Sequence, residues 1–269
     1  MQAYVHGYDA RENRRLRDQA SALTHLLHWD TVYPDNATIL EVGCGVGAQT
    51  IPLAHNSPGA QITAVDVSAA SLVQARIATL AARIDNVAFR EADVFNLPFD
   101  RATFDHAFLC FVLEHLDRPV DALQAVMRVV KPGGTVTVIE GDHGSTFFSP
   151  ESEFANDAIA CLVELQRRAG GNAFLGRTLY PLLVRSGLDR VSVSPRQVYV
   201  DASRPDLVDG FTKRTFTAMV EGVRDAAMGS GLIEAAAFDR GIEDLYATAK
   251  PGGTFSYTFF KAFAVVPDN

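Results

Sequence analysis

The sequence predicts an α/β protein built on a doubly wound, mostly parallel seven-stranded sheet, and three observations predict it. Short apolar runs alternate with helix-length amphipathic segments between residues 38 and 140. A glycine-rich turn, residues 43–47, joins the first run to the first helix of that alternation. Two more strand-like segments, 191–199 and 253–266, follow a long helical stretch and complete the strand count.

The elements follow in order. Leu16, Ala20, Leu23 and Leu27 recur at helical spacing, so the first thirty residues read as a helical segment. Its arginines (Arg11, Arg14, Arg15, Arg17) read mostly as a solvated face. Residues 38–42 form a short apolar strand. A helix over 48–54 tolerates Pro52 because it lies in the first turn. Residues 61–67 form the second strand. Ser68 is an N-cap for a helix over 69–83, with Leu72, Ala75, Ile77 and Leu80 as its apolar positions. Residues 87–91 and 104–111 are strands three and four, the latter apolar enough to be buried on both faces. Pro119 stands at a first helical position, the helix runs over 120–130, and Lys131-Pro-Gly-Gly134 ends it. Strand five spans 135–140. Helices over 151–168 and 177–186 follow, and 205–249 is mostly helical. Inserting so many residues between strands at a sheet edge builds a helical cap rather than a separate domain. The two Lys-Pro-Gly-Gly tetrads, 131–134 and 250–253, read as independent helix-to-strand turns.

Composition narrows the function. Hydrophobic residues at 48% and charged residues at 21% allow a sizeable core and exclude a disordered chain. A net charge of −8 argues against a nucleic-acid partner held by general phosphate attraction. Cys44, Cys110 and Cys161 are too few and too scattered for a disulfide scaffold or a structural zinc site, which fits a reduced, cytoplasmic compartment. The longest apolar run, 107–113, is too short to span a membrane, and the first residues carry no secretory signature.

The chemistry centres on Glu41-Val-Gly-Cys-Gly-Val-Gly47. A glycine turn between strand and helix brings backbone N–H groups close to a ligand. Gly43, Gly45 and Ala48 also satisfy the alanine form of the dinucleotide fingerprint, and Asp66 lies where a carboxylate accepts ribose hydroxyls. Glu41 departs from that fingerprint, whose strand is normally apolar before the first glycine.

Glu91-Ala-Asp93, Pro98-Phe99, Phe104-Asp105, Leu113-Glu-His-Leu116 and Val130-Lys-Pro-Gly-Gly134 follow in order. Together with the glycine turn, this set over 38–140 resembles the class I S-adenosylmethionine-dependent methyltransferases, with wording closest to the quinone-biosynthesis and natural-product branches. The resemblance implies a Rossmann-like fold and S-adenosylmethionine as cofactor. It also implies that Gly43, Gly45 and Gly47 line the loop beneath the methionine part, with Glu41 orienting loop or ligand. Asp66 would take the ribose hydroxyls and Val67 would pack on the adenine. Asp93 would accept the adenine amino group beside the Val94 N–H, Cys110 would lie near the methionyl portion, and His115 occupies a common family position. Each position has a plainer alternative: turn glycines, Asp66 capping the next helix, Asp93 opening a turn, His115 bracing one.

Tyr8, ahead of the first helix, could bond the cofactor carboxylate, with Arg14 or Arg15 pairing to it. Asp142 and His143 follow strand five, and His143 has a titration range suited to a general base; the alternative is that both are turn residues. No third ligand accompanies them, so no metal is expected. The expected layout is one methyltransferase domain over 1–269: an N-terminal lid (1–30), a cofactor core (31–147), a cap (148–190 and 205–250) and final strands (191–200 and 253–266). The expected reaction is in-line methyl transfer to a small organic acceptor through O, N or C, governed by proximity and desolvation. A silent cofactor-binding protein and an NAD(P)-binding oxidoreductase are the alternatives. The apolar last strand would serve a homodimer as a pairing edge, or lie inside the sheet beside strand five.

Overall fold

A computed structural model describes residue 15 and residues 23–268. Seven strands form one sheet in the order β3-β2-β1-β4-β5-β7-β6: β1 (Thr38–Val42), β2 (Gln61–Asp66), β3 (Val87–Glu91), β4 (Phe104–Cys110), β5 (Val130–Ser149), β6 (Asp189–Val200) and β7 (Thr254–Val265). β1 pairs in parallel with β2 and β4, β2 with β3, and β4 with β5. β7 runs against β5: the Gly133 N–H meets the Val266 carbonyl at one end, and the Thr258 N–H meets the Ser145 hydroxyl at the other. The doubly wound, mostly parallel, Rossmann-like sheet read from the sequence is observed. The strand order reverses at β1, between β2 and β4, which is where such sheets leave a crevice at their carboxyl ends.

The chain folds as two compact units. One comprises 24–141, 175–196 and 260–269. Its helices are α1 (ending at residue 28), α2 (Thr50–Asn56), α3 (Ala69–Ala81), α4 (Pro119–Val129) and α6 (Leu179–Arg185). Leu40, Leu109, Val126, Val138, Leu183 and Ala264 belong to its core, all with essentially no exposure. α3 starts where expected: the Ser68 hydroxyl accepts the Ser71 N–H at 3.2 Å, satisfying one of the first-turn donors. Pro119 opens α4 as read. α3 buries Ser71, Leu72, Ala75 and Thr79 and turns Ile77 and Leu80 outward, so the expected apolar face is narrower and rotated.

The other unit contains 142–174 and 197–259 and, of the described residues before 24, Arg15 and Leu23. It holds α5 (Glu153–Arg168), a short α7 (Pro205–Leu207), a π-helix (Val208–Thr217), α8 (Ala218–Glu221), α9 (Arg224–Gly229) and α10 (Ala235–Ala247). α5 is capped by Ser152, whose hydroxyl accepts the Ala155 N–H and donates to Asp244 at 2.7 Å. α10 packs so closely on α5 that a Cβ on Gly241 would lie 2.3 Å from the Phe154 carbonyl oxygen. Phe211 and Phe216 of the π-helix meet Phe255, Tyr257 and, for Phe211, Phe259 of β7 at centroid distances of 4.8–5.9 Å.

β5 corrects one expectation. It begins at Val130 and runs to Ser149, so Lys131–Gly134 enters the strand, and Asp142 and His143 lie within it rather than after it.

Candidate functional site

The glycine turn leaves β1 at the point where the sheet reverses. Gly43, Gly45 and Gly47 have φ of +69°, +52° and +79°, a region that L side chains rarely adopt. They serve different ends. A Cβ on Gly43 would strike Val112 Cγ2 at 2.6 Å, and one on Gly47 would press on Ala75 at 3.1 Å, so both are demanded by packing. A Cβ on Gly45 meets nothing within 4 Å. Gly45 alone of the three faces open space.

The turn is tied to β2. The Gly43 and Cys44 N–H groups donate to the Val65 carbonyl at 2.8 and 3.0 Å. The Gly45 N–H donates to Asp66 Oδ2 at 2.8 Å, and the Ser68 N–H to Oδ1 at 2.9 Å. Burial raises the Asp66 carboxyl, against the pull of its backbone donors. Val67 follows, 38% exposed, an apolar side chain left at the surface beside this acid.

Glu41 is buried on β1. Burial lifts its carboxyl to about 8, the Thr50 hydroxyl pulls it down, and Asp66 pushes it further up. Its Oε2 is buried without a hydrogen-bond partner. Asp93 is exposed and caps a 3₁₀ turn (Val94–Asn96) through the Phe95 N–H at 3.0 Å; Val94 is buried. The Ala92 N–H donates to the Asp66 carbonyl at 3.0 Å, which sets the Asp93 turn beside the end of β2. Cys110 ends β4, buried and unpaired. His115 closes a 3₁₀ turn (Leu113–His115) with Nε2 3.5 Å from Glu114 Oε1.

The fold thus gathers Glu41, the three glycines, Asp66, Val67, Asp93, Val94, Cys110 and His115 at the strand ends of one unit. Asp142 and His143 belong to the other unit. There, Asp142 Oδ1 accepts the Gly144 N–H at 3.0 Å. His143 Nδ1 lies 2.7 Å from the Tyr257 hydroxyl, and its ring meets Phe216 edge-on. Burial, then the charge of Arg15, lowers His143 to about 4, so it is neutral near pH 7. Tyr8 and Arg14 lie outside the described residues.

Sequence reasoning missed three contributors. Val112 walls the first glycine. Thr50, buried at the start of α2, lowers the Glu41 carboxyl. Glu140 accepts the Val112 and Leu113 N–H groups at 3.1 and 2.7 Å. A charged residue closing an otherwise apolar strand was the only available signal for Glu140.

A nucleoside with a positively charged tail fits this geometry: an open glycine for close approach, a buried carboxyl oxygen lacking a donor, and an acid at the end of β2. The fold defines a class, that of the doubly wound, Rossmann-like α/β proteins. Residues 40–138 match the family model described as a methyltransferase domain. That segment is similar to the class I S-adenosylmethionine-dependent methyltransferases, whose cofactor is S-adenosylmethionine.

Among its relatives is an uncharacterized methyltransferase of Schizosaccharomyces pombe, 33% identical over 187 residues and covering 65% of each chain. A ubiquinone biosynthesis O-methyltransferase of Alkalilimnicola ehrlichii is 39% identical over 99 residues, 36% of this chain and 39% of that one. The chain spans 65%, 39% and 57% of the lengths of the first curated relatives it matches. A structure described as the [4+2]-cyclase SpnF shares the fold, with a TM-score of 0.59 and 22% identity over 92% of this chain and 81% of that one. The fold therefore hosts more than one reaction. Among the described residues, no group of three or more His, Cys, Asp or Glu is placed to hold a metal ion, and no helix is long and apolar enough to cross a membrane.

Proposed function

We propose that this protein transfers a methyl group from S-adenosylmethionine to a small organic acceptor. The observations that carry the reading are a buried Glu41 Oε2 without a hydrogen-bond partner near the end of β1 and an open Gly45 in the turn that follows. A buried carboxyl oxygen without a donor is costly, about 1–3 kcal/mol, unless a ligand supplies one. Glu41 serves the methionyl ammonium, directly or through the loop. Gly45 lets the backbone approach the ligand, and Gly43 and Gly47 hold the turn. Asp66 accepts the ribose hydroxyls, Val67 packs on the adenine, and Asp93 with the Val94 N–H reads its edge. Cys110 and His115 border the methionyl side.

Bound S-adenosylmethionine supplies a methyl carbon on a sulfonium, which needs no activation by the protein. The residues of this chain hold the ligand in line and exclude water. Names among the relatives support an O or C acceptor: ubiquinone biosynthesis O-methyltransferase, O-methyltransferase resE, and ubiquinone/menaquinone biosynthesis C-methyltransferase. His143, neutral near pH 7, serves as proton acceptor. With its Nδ1–H donated to the Tyr257 hydroxyl, Nε2 is the acceptor nitrogen, and Asp142 accepts the Gly144 N–H beside it.

Calorimetry against S-adenosylmethionine, S-adenosylhomocysteine, NAD and NADP tests the first half. Saturable binding of the first two alone is expected, and binding of a nicotinamide cofactor in their place overturns it. A screen of small phenols, quinols and amines with a labelled methyl group tests the second half. Cofactor binding without label transfer to any acceptor marks a silent binder instead.

A further inference from the structure

The turn that leaves β4 holds a strained residue beside an acid that the cofactor reading does not use. Phe111 directly follows Cys110 and has a φ of +58°, a conformation that suits glycine and strains a bulky side chain. Strain of that kind persists only where the surroundings fix it. Here one stretch of β5 does so. The Phe111 N–H donates to the Ile139 carbonyl at 2.9 Å. The Val112 and Leu113 N–H groups donate to a single oxygen, Oε1 of the next residue, Glu140, at 3.1 and 2.7 Å. The His115 N–H then donates to the Val112 carbonyl at 3.1 Å and closes the 3₁₀ turn.

Strand geometry explains why a side chain is needed there. The paired register of β4 with β5 ends at Cys110 and Ile139. The left-handed Phe111 carries the chain out of the ladder, so the two amides after it bond to a side chain in place of the β5 backbone. Leu113 and Glu140 have no exposed surface, so water does not serve that need. The hold reaches the glycine turn through Val112. A Cβ on Gly43 would lie 2.6 Å from Val112 Cγ2, so this side chain rests against the first residue of the turn. Gly43, Phe111, Val112 and Glu140 all belong to one compact unit.

We propose that Glu140 is a positioning residue for the cofactor. By gripping the Val112 and Leu113 amides it holds Phe111 in its left-handed conformation, and so keeps Val112 against the glycine turn that receives S-adenosylmethionine. This rests on the cofactor reading above and adds to it a residue that acts without touching the ligand. The agent is an accepting oxygen rather than a charge, because Oε1 takes both amides whether the carboxyl is ionised or protonated. Glycine at position 111 would adopt the same conformation without being held. An accepting oxygen at 140 and a glycine at 111 are therefore partly interchangeable means of placing Val112. A general role of Glu140 in packing predicts no such exchange.

Titration calorimetry of the whole chain with S-adenosylmethionine, beside thermal melts, tests this. Glu140→Leu removes the acceptor of both amides and is expected to weaken binding about tenfold. Glu140→Gln keeps an oxygen for the amides and is expected to bind about fivefold tighter than Glu140→Leu. Adding Phe111→Gly to Glu140→Leu is expected to recover about threefold. Equal affinities in the Gln and Leu variants, or no recovery on adding the glycine, overturn the inference. Val112→Ala decides the matter if Glu140→Leu does not fold. It leaves the buried acid in place, removes the side chain against Gly43, and is expected to weaken binding about fivefold; an unchanged affinity overturns the inference. A wild type that does not bind S-adenosylmethionine overturns the cofactor reading, and this inference with it. Binding by the wild type that every variant matches overturns this inference alone.

Discussion

The Gly45 amide donates to Asp66 Oδ2 at 2.8 Å, so the acid that ends β2 and the open glycine of the turn are one hydrogen-bonded unit. Asp66 presets the loop before any ligand arrives. Replacing it with Ala removes that tether as well as two acceptor oxygens. The expected loss of S-adenosylmethionine affinity is about 100-fold, at roughly 1.5–3 kcal/mol for each hydrogen bond to a charged group. Asp66→Asn keeps one acceptor oxygen and is expected to fall between the two. Titration calorimetry with a parallel thermal melt checks both, and an undiminished affinity in the Ala variant removes Asp66 from the site.

The glycines separate packing from binding. Gly43→Ala combines a left-handed backbone with an overlap on Val112, whereas Gly45→Ala has the backbone cost alone, about 1–2 kcal/mol. Gly43→Ala is therefore expected to show the larger fall in melting temperature. Gly45→Ala is expected to stay folded and still lose most of its affinity, because its new methyl fills the space the ligand approaches. Thermal melts with and without S-adenosylmethionine give the two orders.

The buried Glu41 makes the ligand-free protein less stable as pH rises. Its carboxyl titrates near 8 in the fold against an ordinary 4.5, so the folded form holds a proton that the unfolded chain has released. That stabilisation is fully present below 4.5 and is lost as pH climbs through 8. Glu140, also raised, has the same sign. His28 and His143, both lowered by burial to about 4 from 6.5, act oppositely: the unfolded chain takes up their protons first, so acid below 6.5 destabilises the fold. Above 6.5 the acids act without them. Between pH 6.5 and 8 the wild type is expected to lose about 1–2 kcal/mol through Glu41. Glu41→Gln should flatten that slope in denaturant titrations while binding S-adenosylmethionine more weakly.

These elements were unequally legible in the sequence. β1 to β4 stood out because parallel strands buried on both faces are near-continuous apolar runs, and Ser68 and Pro119 punctuate the helices between them. β5 was read too short at both ends. Pro132, Gly133 and Gly134 look like a stop, and the Gly-Asp-His-Gly run over 141–144 looks like a loop. Pairing with β7 keeps both in the strand, through Gly133 to Val266 and Ser145 to Thr258, partners more than 110 residues away. The glycine turn with Glu41 and Asp66 was readable because its spacing is local. Glu140 was not, since its meaning lies in two amides 27 and 28 residues earlier. Ile77 and Leu80 were assigned inward by periodicity alone, and burial went to the small Ser71 and Thr79 instead.

A buried charge network beyond the glycine site yields a last prediction. Lys261 on β7 donates to Asp30 Oδ1 at 2.5 Å and to Thr31 Oγ1 at 2.6 Å, while Arg196 on β6 donates to Asp30 Oδ2 and lies over the Trp29 ring at 5.4 Å. One acid thus serves two cations, both largely buried, with side chains 8% and 11% exposed. Asp30→Asn leaves both cations without their counter-charge, and breaking a buried pair from one side costs roughly 3–5 kcal/mol. Asp30 is itself 29% exposed, and water there moderates that figure toward its lower end. Lys261→Met removes one cation, keeps a side chain of similar length, and leaves Asp30 with Arg196. It is expected to cost distinctly less than Asp30→Asn. Combining the two should cost less than the sum of the single changes, because removing Lys261 relieves one of the stranded charges. Urea unfolding of the three variants measures the coupling, and strict additivity would show that Lys261 and Asp30 do not depend on one another.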